Sequence, residues 1–160
     1  MKASELMKKL EADPEYREMR KRKNRELEKQ VEILAKDQRE LIEDLRAIGY
    51  EIESVWDFVN NDNHYEFLRK FNGSYSSAYS ILVEHLSIEH HPRIREGIIR
   101  ALTEKDANRV ASEALITEFY QEQDENLKWV LANALRTVLS RAQKAKHPEY
   151  KKVYNGKGQP

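Results

Sequence analysis

Residues 78–102, AYSILVEHLSIEHHPRIREGIIRAL, and residues 111–135, ASEALITEFYQEQDENLKWVLANAL, carry one apolar pattern twice, thirty-three positions apart. Ala78 falls on Ala111, Leu82 on Leu115, Val83 on Ile116 and Leu86 on Phe119. After a polar gap of equal length, Ile94 falls on Leu127, Arg95 on Lys128, Ile98 on Leu131, Ala101 on Ala134 and Leu102 on Leu135. Ten of the twelve apolar residues in the first window meet an apolar residue in the second, where a chain that is 39% hydrophobic gives about five by chance. Helical phase accounts for part of the excess, because thirty-three residues is close to nine whole turns. It does not account for the matched gap. Such a repeat predicts helix pairs stacked on one another, an architecture that binds surfaces far more often than it performs chemistry.

Composition agrees with that class. A length of 160 residues suits one domain, or one domain with an appendage. Charged residues make up 35%, and five glycines and four prolines are few for a sandwich or barrel, so the expected class is all-α. Twenty-eight acidic against twenty-eight basic side chains leave no global field to draw the chain to nucleic acid or an anionic membrane, so any basic patch must be local. The absence of cysteine excludes disulfides, thiol catalysis and thiolate metal sites. The start, MKASELMKKLEADPEY, has no signal-like apolar run, and no stretch approaches the roughly 18 apolar residues of a membrane span. The expectation is a soluble, cytoplasmic protein with no membrane contact.

Along the chain, residues 3–11 suit a short helix, and Asp13-Pro14 supplies a cap and a first-turn proline for a long one. No Gly or Pro follows until Gly49, a left-handed C-cap, so one helix of roughly 50 Å is expected over 14–49. Leu27, Val31, Leu34, Gln38, Leu41, Leu45 and Ile48 follow coiled-coil spacing in it, which predicts packing of residues 34–48 on the body and an N-terminal half free to form a homodimer or dock a partner. Ser54 and Asp57 fit a capping box before a short helix over 54–61, and His64–Phe71 reads as another. Ser76 or Ser77 can open a helix carrying Ala78, Leu82, Val83 and Leu86, and further helices are expected over 92–104, 107–121 and 125–141. The resulting division is a charged helical segment 1–49, a linker or cap 50–73, two helix pairs 74–141 and a basic, partly disordered tail 142–160, frayed from Ala145.

HPRIREGIIRAL, 91–102, and ENLKWVLANAL, 125–135, resemble the second helix of HEAT-type repeats: a turn residue, a branched apolar position, a basic residue, then a stripe ending in Ala-Leu. The resemblance covers about residues 74–141 and implies a HEAT-like α-solenoid fragment behind a long N-terminal helix. The period also suits ankyrin and tetratricopeptide repeats, but neither a TPLH-like turn nor the Trp, Leu-Gly and Tyr pattern is present. The layout is also similar to small uncharacterised bacterial proteins with a charged N-terminal helix. That similarity implies a fold and no activity.

Chemistry is sparse. Glu84, His85, Glu89, His90 and His91 offer metal-ligand types, yet they run into an inter-helix turn without HExxH spacing, so no metal and no cofactor is expected. GxSxG, Walker A and GxGxxG motifs are absent, and Asp57 beside Trp56 reads as a cap, so no catalytic residue is assigned. The basic run Arg20-Lys21-Arg22-Lys23 with Arg25 is interleaved with Glu15, Glu18, Glu26 and Glu28, as on an ordinary solvated helix. Trp129 stands where the first repeat has Glu96, and either lies under the tail against Tyr150 or Tyr154 or is exposed on the inner face. If exposed, Arg95, Arg100, Trp129, Asn133 and Arg136 form an Arg and Trp surface of the kind enriched in binding hot spots. The expected function is a non-catalytic protein-binding or scaffold module with a protein partner, such as an adaptor or a toxin-neutralising immunity protein. The alternative is a nucleic-acid-associated accessory protein using the basic helix and the tail, which carries Arg136, Arg141, Lys144, Lys146, Lys151 and Lys152.

Overall fold

A computed structural model of the chain describes residues 2–61, 70 and 73–156. Every regular element among them is helical. The chain divides into two compact units, one ending at Lys36 and the other beginning at Asp37.

In the first unit, α1 (Ala3–Ala12) precedes α2 (Pro14–Asp37), which runs one residue beyond the division. Asp13 caps α2 as its type and position predict: its Oδ1 accepts from the Glu15 amide at 2.9 Å, and Pro14 takes the first helical position. Glu18 pairs with Lys21 at 3.1 Å, and this bond holds its carboxyl below the usual range. Leu27 and Val31 are 63% and 67% exposed, so the apolar stripe of α2 is open at these positions.

The second unit starts with a departure from the sequence expectation. The helix expected over 14–49 is interrupted at Gln38, and α3 (Arg39–Ala47) follows. Gln38 is buried because its side chain bonds to a segment distant in sequence, where its Oε1 accepts from the Val55 amide at 3.0 Å and from the Ser54 hydroxyl at 3.3 Å. One polar side chain thus ties the joint to the start of α4 (Trp56–Val59). Leu41, Ile42 and Leu45 of α3 are buried, and α3 packs on α5 (Tyr79–Leu86). Gly49 ends the run at φ +103°, as expected, with the Tyr50 amide donating back to the Leu45 carbonyl at 3.2 Å. The expected helix over 54–61 is shorter than predicted, although Asp57 does accept from the Glu53 and Ser54 amides at 2.9 and 3.2 Å. Of the helix expected over 64–71, all but Lys70 lies outside the described residues.

Four helices form the centre: α5, α6 (Pro92–Ala101), α7 (Asn108–Gln121) and α8 (Glu125–Val138). Short 3-10 turns at Ser76–Ala78 and Lys105–Ala107 lead into α5 and α7. Within pairs, α5 packs on α6 and α7 on α8; between pairs, α5 packs on α7 and α6 on α8. Each helix therefore meets its own counterpart thirty-three residues on. Ala78 and Ala111, Leu82 and Leu115, Ile98 and Leu131, and Leu102 and Leu135 are all buried at equivalent positions. Polar details repeat too. His91 Nδ1 accepts from the Arg93 amide at 3.1 Å to cap α6, and its counterpart Asp124 accepts from the Leu127 amide at 2.8 Å to cap α8.

The tail departs from expectation as well. It is helical in α9 (Arg141–Lys146) and α10 (Tyr150–Gly156), with Tyr150 buried. Ser140 and Gln143 form a capping box, and Gln143 accepts from Asn108 Nδ2 at 2.8 Å and donates to the Ser112 hydroxyl at 3.1 Å. Tyr120 donates to Glu149 at 2.7 Å, a bond that lowers the carboxyl's pKa and raises the phenol's. Side-chain bonds to α7 thus order a segment whose own apolar pattern is weak.

Gly97 lets α6 approach α4: a Cβ there would lie 2.7 Å from Val55 Cγ1 and 2.9 Å from Trp56 Nε1. Gly97→Ala is therefore expected to destabilise the chain by about 1–3 kcal/mol in urea unfolding, despite Ala's better helix propensity. A neutral or stabilising result would contradict the close approach.

Candidate functional site

The five residues singled out for an Arg and Trp surface meet different fates. Arg95 is withdrawn from it, since its guanidinium donates to the Leu86 carbonyl at 2.8 Å and pairs with Glu118 and, at 3.3 Å, with Glu122. The cause is structural: Leu86 ends α5, and a helix C-terminus leaves carbonyls in need of donors. Lys128, thirty-three residues on, does the same for α7 by donating to the Phe119 carbonyl. Each pair is closed by a cation from its second helix.

Trp129 is also withdrawn. It is 8% exposed and stacks on Tyr154 of α10, with ring centroids 5.7 Å apart and planes 16° from parallel. This is the under-the-tail arrangement, and it excludes an exposed Trp129. Its indole N–H has no hydrogen-bond partner among the described residues.

Arg100, Asn133 and Arg136 keep access to solvent. Arg100 and Asn133 are half-buried counterparts on α6 and α8, and Arg136 is exposed. Arg100 donates to Glu96 at 2.8 Å, whereas Arg136 lies 4.6 Å from the Tyr154 ring centroid and donates to its hydroxyl. A further pair, not among those five residues, has the same chemistry. Arg93 lies 3.8 Å from the Trp56 ring centroid, while Trp56 Nε1 donates to the Arg93 carbonyl at 3.1 Å. The second helices of both pairs thus carry an arginine laid over an aromatic ring, Arg93 on Trp56 of α4 and Arg136 on Tyr154 of α10. Aromatic contact restrains a guanidinium and leaves free the donors not otherwise bonded, which for Arg136 excludes the one given to the Tyr154 hydroxyl. Glu96 serves both Arg93 at 3.5 Å and Arg100.

The histidine segment is a different kind of site. His85 Nε2 lies 3.1 Å from Asp44 Oδ2, His85 Nδ1 3.1 Å from His90 Nε2, and His90 Nδ1 2.9 Å from Asp37 Oδ2. Both rings are almost wholly buried, and all four of their nitrogens are engaged within the cluster. Among the described residues, no group of three or more His, Asp or Glu side chains is placed to hold a metal ion. An open cleft of about 460 Å³ is lined by Ser74, Tyr75, Tyr79, Glu104 and Asp106 among others. Burial, with these carboxylates, pushes both phenols up, so they remain protonated donors, Tyr79 to Asp106 at 2.6 Å.

With Trp56 replaced by Phe so that Trp129 is the sole indole emitter, Tyr154→Ala is expected to raise acrylamide quenching clearly and to cost about 0.5–1.5 kcal/mol beyond the lost buried area. Unchanged quenching would mean that α10 is not what shields Trp129. Comparison of the chain with protein-family models, with curated proteins and with solved structures returned no match.

Proposed function

We propose that the chain is a non-catalytic binding module of HEAT-like helical-repeat type, which grips an acidic protein partner on the face formed by α6 and α8. The observation that carries the reading is the row of three arginines on these two adjacent helices, two of them laid over aromatic rings. The thirty-three-residue equivalence of buried positions, N-caps and carbonyl-closing cations supports the repeat assignment. Arginine held on an aromatic plane is suited to bidentate carboxylate contact, and it loses little side-chain entropy when a partner arrives. Glu96 pairs with Arg93 and Arg100 of this row, and an incoming acidic group has to displace it.

A second reading draws on the exposed Lys146, Lys151 and Lys152 of α9 and α10, which extend the positive charge beyond Arg136. It makes the chain a nucleic-acid-associated accessory protein, and its signature is binding that falls steeply with salt. Among the described residues no helix is long and apolar enough to cross a membrane.

Affinity capture of the tagged chain from its native lysate at moderate salt, beside an Arg100→Glu, Arg136→Glu variant of unchanged circular dichroism, separates these readings. The expected outcome is a stoichiometric protein partner that resists nuclease and is lost, by tenfold or more, with the variant; about 1.4 kcal/mol of contact suffices for that. Equal recovery with the variant, or recovery only of nuclease-sensitive material, contradicts the proposal.

A further inference from the structure

The row Asp37, His90, His85, Asp44 joins parts of the second unit that are far apart in sequence. Asp37 is the last residue of α2, beside the Gln38 joint; Asp44 lies on α3, His85 on α5, and His90 in the turn before α6. Asp37 also accepts from the His91 amide at 2.9 Å through its other oxygen. The ring centroids of His85 and His90 are 5.3 Å apart while their facing nitrogens are 3.1 Å apart. The difference is close to one ring radius on either side. The two nitrogens therefore point at each other along the line of centres, the geometry of an N–H···N bond. Ligands of one tetrahedral metal ion would instead tilt toward a shared apex.

The proton count follows from this geometry. Three contacts in series, carboxylate to imidazole, imidazole to imidazole and imidazole to carboxylate, each require one hydrogen. Two neutral imidazoles supply two, and ionised carboxylates supply none. With two protons, one contact sets two lone pairs face to face and leaves a bond of an almost wholly buried ring nitrogen unmade. With four on the rings, two N–H groups oppose each other between His85 and His90. Three protons satisfy every contact and leave the four groups with one net negative charge, however the third proton is shared among them.

We propose that this row is a built-in proton-binding site, taking up one proton beyond two neutral imidazoles and using it to fasten the joint at Gln38 to the turn between α5 and α6. Other ionisable groups on the elements packed here are already engaged or lie at the surface. Arg95 of α6 is spent on Leu86, Glu118 and Glu122, and His91 Nδ1 accepts from the Arg93 amide. Glu84 and Glu89 on the histidine segment, and Arg39, Glu40 and Glu43 on α3, are exposed. Above about pH 6.5, where the imidazoles of an unfolded chain are neutral, the folded row holds one proton more than the unfolded chain, so its contribution is lost as pH rises.

Asp44→Asn tests the count, because an asparagine amide can itself donate to His85 Nε2 and so supply the third hydrogen at any pH. Asp44 is half-exposed, so the exchange leaves the core intact. Urea unfolding of the full chain and of the variant is compared upward from about pH 6.5, where imidazoles ordinarily change charge. The unfolding constant of the parent chain is expected to rise by up to about tenfold per pH unit relative to the variant, the limit for one proton. Long-range proton–nitrogen NMR of the parent chain near neutral pH is expected to count three ring protons on His85 and His90 together. Parallel pH profiles, or a count of only two ring protons, would overturn the proposal. So would zinc, added alone, shifting both rings and stabilising the chain reversibly to chelator. If the variant fails to fold, the NMR count on the parent chain decides alone.

Discussion

None of the four central helices is long enough to persist by itself in water, so the mutual burial of their apolar stripes is the constraint from which the second unit follows. α5 and α6 bury Leu82, Leu86, Ile94 and Ile98 on the same pattern that α7 and α8 use for Leu115, Phe119, Leu127 and Leu131. Two such pairs leave an uncovered flank on each side, and a stack of this kind needs both flanks closed. The chain supplies both covers. α3 lies on α5 and α4 on α6, while α9 is bonded to α7 and α10 lies on α8. Segments that look like linker and tail are thereby part of the folded core.

Closing the pairs uses up charge. Arg95 and Lys128 satisfy carbonyls at the ends of α5 and α7, and they are the basic residues that the helical pattern places at the start of each second helix. Arg93 and Arg100 of α6 and Arg136 of α8 have no such duty. That division separates structural from accessible arginine within a single repeat, and it moves the proposed binding surface away from Arg95 and Trp129 toward Arg93, Arg100 and Arg136. Trp56 and Tyr154 belong to the covering helices, so the elements that complete the core also orient the surface.

The helix pairs are legible in the sequence because a repeated stripe is a sequence property: each buried position has a partner at a fixed offset. The caps at Asp13 and Gly49 are legible because they depend on neighbours in the chain. The interruption at Gln38 is not, since glutamine is a good helix former and only the distant Val55 amide makes it a joint. Arg95 reads as a surface residue even though Lys128, at the same offset in the second repeat, signals a repeated structural role. The order of α9 and α10 rests on Gln143, Glu149, Tyr150 and Tyr154, four side chains with no periodic stripe behind them. The proton-holding row is hidden for a similar reason, as Asp37 and Asp44 lie 53 and 41 residues from their histidines.

Recognition on this reading falls on a narrow arginine face. The most direct test is a photo-crosslinking amino acid placed at position 100 of the full chain in living cells, with the same group at position 27 on the exposed stripe of α2 as comparison. A discrete protein adduct from position 100, weakened by Arg136→Glu and absent from position 27, is the predicted result. An adduct from position 27 alone, or one to nucleic acid from position 100, would contradict the claim that the α6 and α8 face is where this protein meets its partner.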